Sequence, residues 1–163
     1  LQLPLQLGSL AAAFQAAQRL VDIATAEAIV SSDERDEKEV DKLQEAYGKG
    51  ATGRGMATGA AKAVKELEKE QKSRATRMVR DSIDGALLDL ATFYRDVLMV
   101  QSGNTESMIN TDMREEIESY ASSHPEHSTI LKINDLMVAR ANLARNAAPL
   151  VLCEALMCRL AKP

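Results

Sequence analysis

The sequence predicts an all-α protein, a bundle of about five helices with one long helix. Apolar residues recur at steps of three and four along most of the chain, which is the period of an amphipathic helix. No stretch of useful length alternates between apolar and polar residues as a half-buried strand does. With 8 Gly and 4 Pro in 163 residues, the chain has few residues for the tight turns of an all-β fold.

The first helix is predicted to follow a short extended lead-in at 1–8, where a proline and a glycine disfavour helix. Ser9 stands where an N-cap is needed, just before apolar residues at helical spacing. We expect the helix to continue through the acidic, solvated stretch 33–42 and to stop at Gly48. If it is interrupted, we expect the break near the serines at 31–32.

Residues 48–59, GKGATGRGMATG, hold five glycines and no large apolar residue except Met56. A phosphate-binding loop would need Lys-Ser/Thr after its last glycine, and a dinucleotide-binding motif would need a strand before its first. Lys49 is followed by Gly50, and the preceding pattern is helical. The segment is therefore predicted to be a flexible linker between helices.

The long helix is predicted over 60–101, and Ser-Gly-Asn at 102–104 is typical of a helix C-terminus. A short helix through Tyr120 follows, with Asn110 or Thr111 as its cap.

Two further helices complete the predicted fold. One has Pro125 in its first turn and closes at Asn146, and the last begins near Pro149. Because the last helix is apolar on most sides, we expect it either at the centre of the core or against a partner.

Charge and composition narrow the classes of function. The chain has 20 Lys and Arg against 24 Asp and Glu, a formal charge of −4. This charge argues against electrostatic binding of DNA or anionic lipid by the chain as a whole, but it allows one basic face. Aromatic residues are 3% of the chain, too few for a platform that stacks single-stranded bases.

The two cysteines indicate a reducing, cytoplasmic environment. Cys153 and Cys158 would point about 140° apart on a helix, so they cannot pair, and we expect two buried free thiols. Residues 1–18 carry no charge but lack the basic start of a signal peptide, and polar residues interrupt them, so we expect no membrane insertion. Because the chain does not begin with Met, we interpret it as a piece of a longer protein.

No pattern of catalytic or metal-binding residues emerges. His124 and His127 are the only histidines, and a zinc site would need further ligands that the diverging cysteines do not supply. No Gly-x-Ser-x-Gly elbow is present, and no base adjoins either thiol. We therefore expect no enzyme activity, no metal and no cofactor in this chain.

Residues 72–80 are strongly basic in an otherwise acidic chain. Arginines three residues apart share a helix face, so the segment can be a docking stripe for carboxylates or phosphates. It can equally be a solvated face balanced by the glutamates at 66–70. The four basic residues are Lys72, Arg74, Arg77 and Arg80.

Four segments carry a resemblance to a known family: ELEKEQKSRATR at 66–77, DLATFYRDVL at 89–98, INTD at 109–112 and APLVL at 148–152. They resemble the C-terminal region of the delta-prime subunit of bacterial DNA polymerase III, in its actinobacterial form. The resemblance runs from about residue 9 to the end and is most specific at 66–98, while 33–42 and 48–59 have no counterpart.

That family consists of clamp-loader subunits with an AAA+ module followed by a helical collar domain. The collars assemble into a pentameric ring, and the loader uses ATP to place the sliding clamp on primed DNA during replication. The resemblance implies that 9–163 is a collar, or oligomerisation, domain and that 1–8 leads in from an N-terminal AAA+ module. The family's nucleotide pocket, zinc module and arginine finger belong to the AAA+ part, so no functional residue of that kind is carried over.

The resemblance implies that the partners are the collars of other clamp-loader subunits and the chain's own AAA+ module, with DNA contacted only through the assembled loader. We expect 130–160 and the apolar face of 83–98 to contact neighbouring collars, and the basic residues at 72–80 to dock the AAA+ module or a neighbour. The candidate interface residues are Leu87, Tyr94, Leu136, Arg140, Leu150 and Leu156. The alternative is a helical nucleic-acid-binding module that uses 72–80, against which the acidic charge and scarce aromatics argue.

Overall fold

The computed structural model describes residues 3–47 and 54–162, which form five α-helices, three short 3-10 turns and no strand. The all-α prediction, with about five helices and one long helix, is confirmed. The 3-10 turns are Leu3–Gln6, Thr105–Ser107 and Thr111–Met113. The helices are α1 (Leu10–Ala46), α2 (Arg54–Gln101), α3 (Arg114–Ser123), α4 (Glu126–Ala144) and α5 (Pro149–Leu160).

The chain divides into two compact units. One, here called the bundle unit, is formed by Leu1–Asp22 and Ile83–Pro163. The other, the hairpin unit, is Ile23–Ser82. Both α1 and α2 contribute residues to each unit.

In the hairpin unit, α1 and α2 run antiparallel. Ser82 donates to Glu27 at 2.7 Å, whereas Arg74, earlier in α2, donates to Asp36, later in α1. Among the residues of this unit whose side chains the structure describes, the buried ones are small: Ala24, Ala28 and Ser32.

The first helix continues through the acidic stretch as expected and has no break at the serines 31–32. Ser32 is buried, and its hydroxyl donates to the Ile29 carbonyl oxygen at 3.2 Å within the helix. A serine that bonds back to its own helix leaves the main-chain ladder in place.

The linker predicted at 48–59 overlaps the start of α2. Residues 48–53 lie outside the described part of the chain, and α2 begins at Arg54, so 54–59 are helical rather than linker. Glycine costs about 1 kcal/mol in a helix interior, and an alanine-rich continuation can offset that cost. The glycines therefore indicated a boundary between α1 and α2, but the predicted start of α2 at residue 60 is later than its observed start at Arg54.

The core of the bundle unit is built around one face of α2. Its buried residues recur at steps of three and four: Ile83, Leu87, Leu90, Tyr94 and Val97. The rings of Phe93, Tyr94 and Tyr120 meet edge to face, with centroids 5.4 to 5.8 Å apart. Such pairs add about 0.5–1.5 kcal/mol each beyond the burial of their area. This cluster joins α2 to α3.

Local chemistry sets several helix ends as predicted. The Ser9 hydroxyl accepts a hydrogen bond from the Ala12 N–H at 3.1 Å, which confirms the N-cap of α1. Gly103, with a φ of 76°, ends α2, and Asn146, with a φ of 66°, ends α4. Residues Leu3–Gln6 form a 3-10 turn instead of the extended lead-in that was expected.

Asp96 organises the segment between α2 and α3. Its side chain is fully buried and accepts hydrogen bonds from the main-chain N–H groups of Ile109 and Asn110 at 2.7 to 3.1 Å. Arg95 donates to it at 2.8 Å, as does the side-chain amide of Asn110. Asn110 therefore does not cap α3, which follows the turn Thr111–Met113 and has no side-chain cap bond. The cap prediction is wrong for both Asn110 and Thr111, since neither start has a side-chain cap bond, and the Asn110 side chain is instead oriented by the bond from its NH2 group to Asp96.

Replacement of Asp96 with Asn is expected to lower the free energy of unfolding by about 3 kcal/mol. The substitution removes charge-assisted hydrogen bonds and turns an amide NH2 toward N–H donors. Urea denaturation followed by circular dichroism measures the change. Asp89→Asn is the matched control: Asp89 is exposed on the same helix, so its loss should stay within about 0.5 kcal/mol. Equal losses in the two variants would contradict the role of Asp96.

Comparison of the parent chain with the Asp96→Asn variant also gives a pH test. Burial raises the pKa of Asp96, but the donors on Asn110, Ile109 and Arg95 outweigh it and leave that pKa below its ordinary value. A carboxyl with a lowered folded-state pKa adds stability above its unfolded pKa, near about 4, and loses it as pH falls through the folded pKa. The parent chain should therefore lose more stability than the Asp96→Asn variant between about pH 5 and 2.

Candidate assembly surface

Helices α4 and α5 form an antiparallel pair with an open groove between them. The chain reverses at Asn146, whose left-handed conformation allows the main-chain N–H groups of Asn146 and Ala147 to bond back to the end of α4. The groove has a volume of about 530 Å³. Its apolar lining comes from Val138, Ala139, Val151, Leu152, Ala155 and Leu156.

An apolar stripe lies on the exposed side of α4. Ile130 and Met137 are 47% and 40% exposed, and Leu131 and Val138 are 50% and 42% exposed. Members of each pair are seven residues apart, two helical turns, and so lie above one another. Val138 also lines the groove, as does Val151 of α5, which is 64% exposed. We call these five side chains the α4–α5 surface.

Charged residues border the groove. Arg159 donates to Asp135 at 3.0 Å, an ion pair that joins α5 to α4. Arg145 also lines the groove, is exposed and has no ion-pair partner among residues 3–47 and 54–162. The groove is thus apolar inside and has an unpaired cation at its border, a composition found at protein interfaces.

Of the predicted interface residues, most lie inside the core. Leu87, Tyr94 and Leu136 are fully buried, so these three side chains are not available to a neighbouring subunit. Leu156 borders the groove but is only 3% exposed, so it offers almost no surface to a neighbour. The interface prediction for them is wrong because core and interface residues share the same helical spacing. Leu150, which is half-buried, is the one apolar candidate with exposed surface.

Arg140 is bound within its own unit. Its guanidinium donates two hydrogen bonds to Asp84, from Nε at 2.8 Å and from the terminal nitrogen at 2.9 Å. Hydrogen bonding from Arg140 lowers the pKa of Asp84, despite an opposing contribution from burial. The pair joins α4 to α2, and Arg140 therefore stabilises the fold.

The exposed apolar residues that sequence reasoning did not select had a visible signal. Ile130, Leu131, Met137 and Val138 repeat at seven-residue spacing on a helix that already has a buried face through Leu136. A second apolar face on one helix indicates a surface that another protein covers.

In the basic segment, Arg74 is paired within the hairpin unit. Its guanidinium donates to both Asp36 and Glu39 of α1. Hydrogen bonding to Glu39 raises the pKa of Arg74, and the same contact lowers the pKa of Glu39. Charge balance for Arg74 thus comes from α1 and not from the glutamates at 66–70, so this arginine is already engaged by carboxylates.

The other three basic residues differ in exposure. Lys72 and Arg77 are exposed, and Arg80 is half-buried. The Nε atom of Arg80 is buried and has no hydrogen-bond partner among the described residues. Lys72, Arg77 and Arg80 therefore remain the residues of this segment that can meet a partner.

Arg74→Gln is expected to lower the urea midpoint of the hairpin unit, because two carboxylates of α1 lose their cation. Arg77→Gln, an exposed arginine three residues further along, is the control and should leave the midpoint unchanged. Hydrogen exchange at α1 residues 33–42 localises the effect. Equal midpoints for the two variants would show that the ion pairs add nothing to the hairpin unit.

The two cysteines differ in environment. Cys153 is fully buried on α5, whereas Cys158 is half-buried, so the prediction of two buried thiols holds for Cys153 alone. Burial, followed by the charge of Glu154, raises the pKa of the Cys153 thiol to about 11. At neutral pH this thiol is protonated and a poor nucleophile.

Iodoacetamide at pH 8 is expected to label Cys158 of the folded chain well before Cys153. The reason is that alkylation requires an accessible thiolate. Mass spectrometry of peptides after timed quenching measures both rates, and labelling in denaturant should abolish the difference. Equal rates in the folded chain would contradict the described burial of α5.

The two histidines differ in environment. The His124 ring stacks on that of Tyr120, with centroids 3.8 Å apart, while His127 is exposed. Within the described residues, no group of three or more His, Cys, Asp or Glu side chains is placed to hold a metal ion. No helix in that part of the chain is both long and apolar enough to span a membrane.

Comparisons with protein-family models, with curated proteins and with solved structures found no match to this chain.

Proposed function

We propose that this chain is the subunit-assembly, or collar, domain of a clamp-loader delta-prime subunit. In this role it holds its subunit in the pentameric loader that places the sliding clamp on primed DNA. The proposal rests on the resemblance of 66–98 to that family and on the all-α fold, and it assigns no catalytic residue. Its partners are the collar domains of the other loader subunits.

The α4–α5 surface is the observation that carries the proposal. It brings together five exposed large apolar side chains and an apolar groove in the bundle unit. Large apolar side chains exposed together on one helix pair are costly in water and are typical of a protein–protein contact. A ring of side-by-side domains supplies each member with neighbours that cover such a surface.

The proposed contact differs in detail from the one expected from sequence. The segment 130–160 is retained, but Val138 and Val151 replace Leu136 and Leu156 as the contact residues. Arg145 adds an unpaired cation beside them, which suits a carboxylate on the neighbouring collar.

We expect the 163-residue chain to co-elute with collar domains of the other loader subunits in size-exclusion chromatography at micromolar concentration. The double substitution Val138→Ser and Val151→Ser should weaken this binding at least tenfold, about 1.4 kcal/mol, because it exchanges apolar contacts for hydroxyls. Isothermal titration calorimetry measures the change.

Val30→Ser is the matched control, since Val30 is a 78% exposed valine of the hairpin unit. It should leave the affinity within about twofold. Failure of the parent chain to bind any collar domain would refute the proposal. Equal weakening by the Val30 control would refute the assignment to the α4–α5 surface.

Fluorescence anisotropy with labelled primed DNA separates the nucleic-acid alternative. A collar that meets DNA only through the assembled loader should not bind it alone at physiological salt. Steeply salt-dependent binding that Lys72→Gln and Arg77→Gln remove would favour the alternative. The pairing of Arg74 with two carboxylates weighs against that alternative, because it leaves fewer cations for phosphate.

A further inference from the structure

Lys132 is a buried lysine with unused hydrogen-bonding capacity. It is 4% exposed, and its ammonium donates one hydrogen bond, to the Tyr120 hydroxyl at 2.8 Å. The Nζ atom also lies 5.4 Å from the centre of the Tyr120 ring and 5.9 Å from that of Tyr94. An ammonium has three N–H donors, so two are not used by any hydrogen bond within residues 3–47 and 54–162.

No carboxylate of the described residues pairs with Lys132. Buried charges in proteins are normally paired, since an isolated buried ammonium loses its hydration and gains no opposite charge in its place. The Tyr94 ring and the Tyr120 hydroxyl offset part of that loss. Thr129, one turn earlier on α4, is also buried with a hydroxyl that has no hydrogen-bond partner in the described part of the chain. This side of α4 therefore has polar groups in excess of their partners.

Lys132 is among the residues that line a cavity of about 790 Å³ in the bundle unit. Leucine and proline side chains supply apolar walls: Pro4, Leu5, Leu7 and Leu160. Tyr120 and the stacked His124 also line it. The cavity therefore suits a ligand that has an apolar body and one group that accepts hydrogen bonds from the Lys132 ammonium.

The charged residues that line the cavity restrict the chemical class of the ligand group that binds Lys132. Glu115 and Glu116 line the same cavity and are exposed in the first turn of α3, and Lys162 is exposed there too. Two carboxylates disfavour a dianion such as phosphate, while a single carboxylate matches the one buried cation. A carboxylate is an acceptor only, so it can take hydrogen bonds from both spare N–H groups of the ammonium.

We propose that this cavity binds a small monocarboxylic acid with an apolar chain, whose carboxylate pairs with Lys132. The apolar chain lies against Leu5, Leu7 and Leu160. The site is separate from the α4–α5 surface, so it stands independently of the proposed assembly function.

Hexanoate and 1-hexanol are the probes, because they share an apolar chain and differ in the carboxylate. NMR titration of the labelled 163-residue chain should show hexanoate shifting the amides of Tyr120, His124 and Leu160. We expect hexanoate to bind about tenfold more tightly than 1-hexanol, as a charge-assisted hydrogen bond implies. No hexanoate binding at millimolar concentration, or equal affinity for the two probes, would overturn the proposal.

Lys132→Met removes the charge and keeps the length of the side chain, so it should remove the preference for hexanoate. Lys162→Met is the control, an exposed lysine of the same lining, and should keep the preference. Equal hexanoate binding by the Lys132 variant and the parent chain would also overturn the proposal. If Lys132→Met does not fold, Tyr120→Phe provides the second test. It frees a third donor on Lys132 and should retain the preference, and loss of the preference in this variant would count against the site.

Discussion

Asp96 is fully buried, and the main-chain N–H groups of two successive residues, Ile109 and Asn110, donate to it. Leaving such a carboxylate without its partners costs about 3–5 kcal/mol, so the chain that follows α2 is held at this point. The segment then enters α3 with Tyr120 against Phe93 and Tyr94. Because Lys132 bonds to Tyr120, the position of one carboxylate affects the packing of α2, α3 and α4 together.

The parts of the fold that sequence reasoning predicted are those set by nearby residues. The cap at Ser9 and the ends at Gly103 and Asn146 each depend on main-chain groups within a few positions along the chain. Helix periodicity is also local, which is why the helices were found. No cap bond forms at Asn110, whose side-chain NH2 donates to Asp96, 14 residues away, and no local pattern in the sequence indicates that contact.

The candidate surface was predictable in region and not in residue. Apolar spacing placed a partner contact within 130–160, but the same spacing describes Leu136, which is buried, and Val138, which is exposed. Burial depends on which helices pack together, and that is decided by the whole unit. Arg74 gives a second case, since its acceptor Asp36 is 38 residues away on another helix. The buried Lys132 gave no signal, because a lysine among apolar residues on a helix is most often exposed.

The hairpin unit has a sparse interior. Among the residues of this unit whose side chains the structure describes, those that are buried are two alanines and a serine, and three large apolar residues, Ile23, Ile29 and Val30, are at least half exposed. Little apolar area is therefore lost to water when its two helices separate, and regions of this kind open at a free energy below that of global unfolding. Amide protons of this unit should accordingly exchange with solvent through local opening events, while those on the Ile83–Val97 face of α2 persist until the bundle unit itself unfolds.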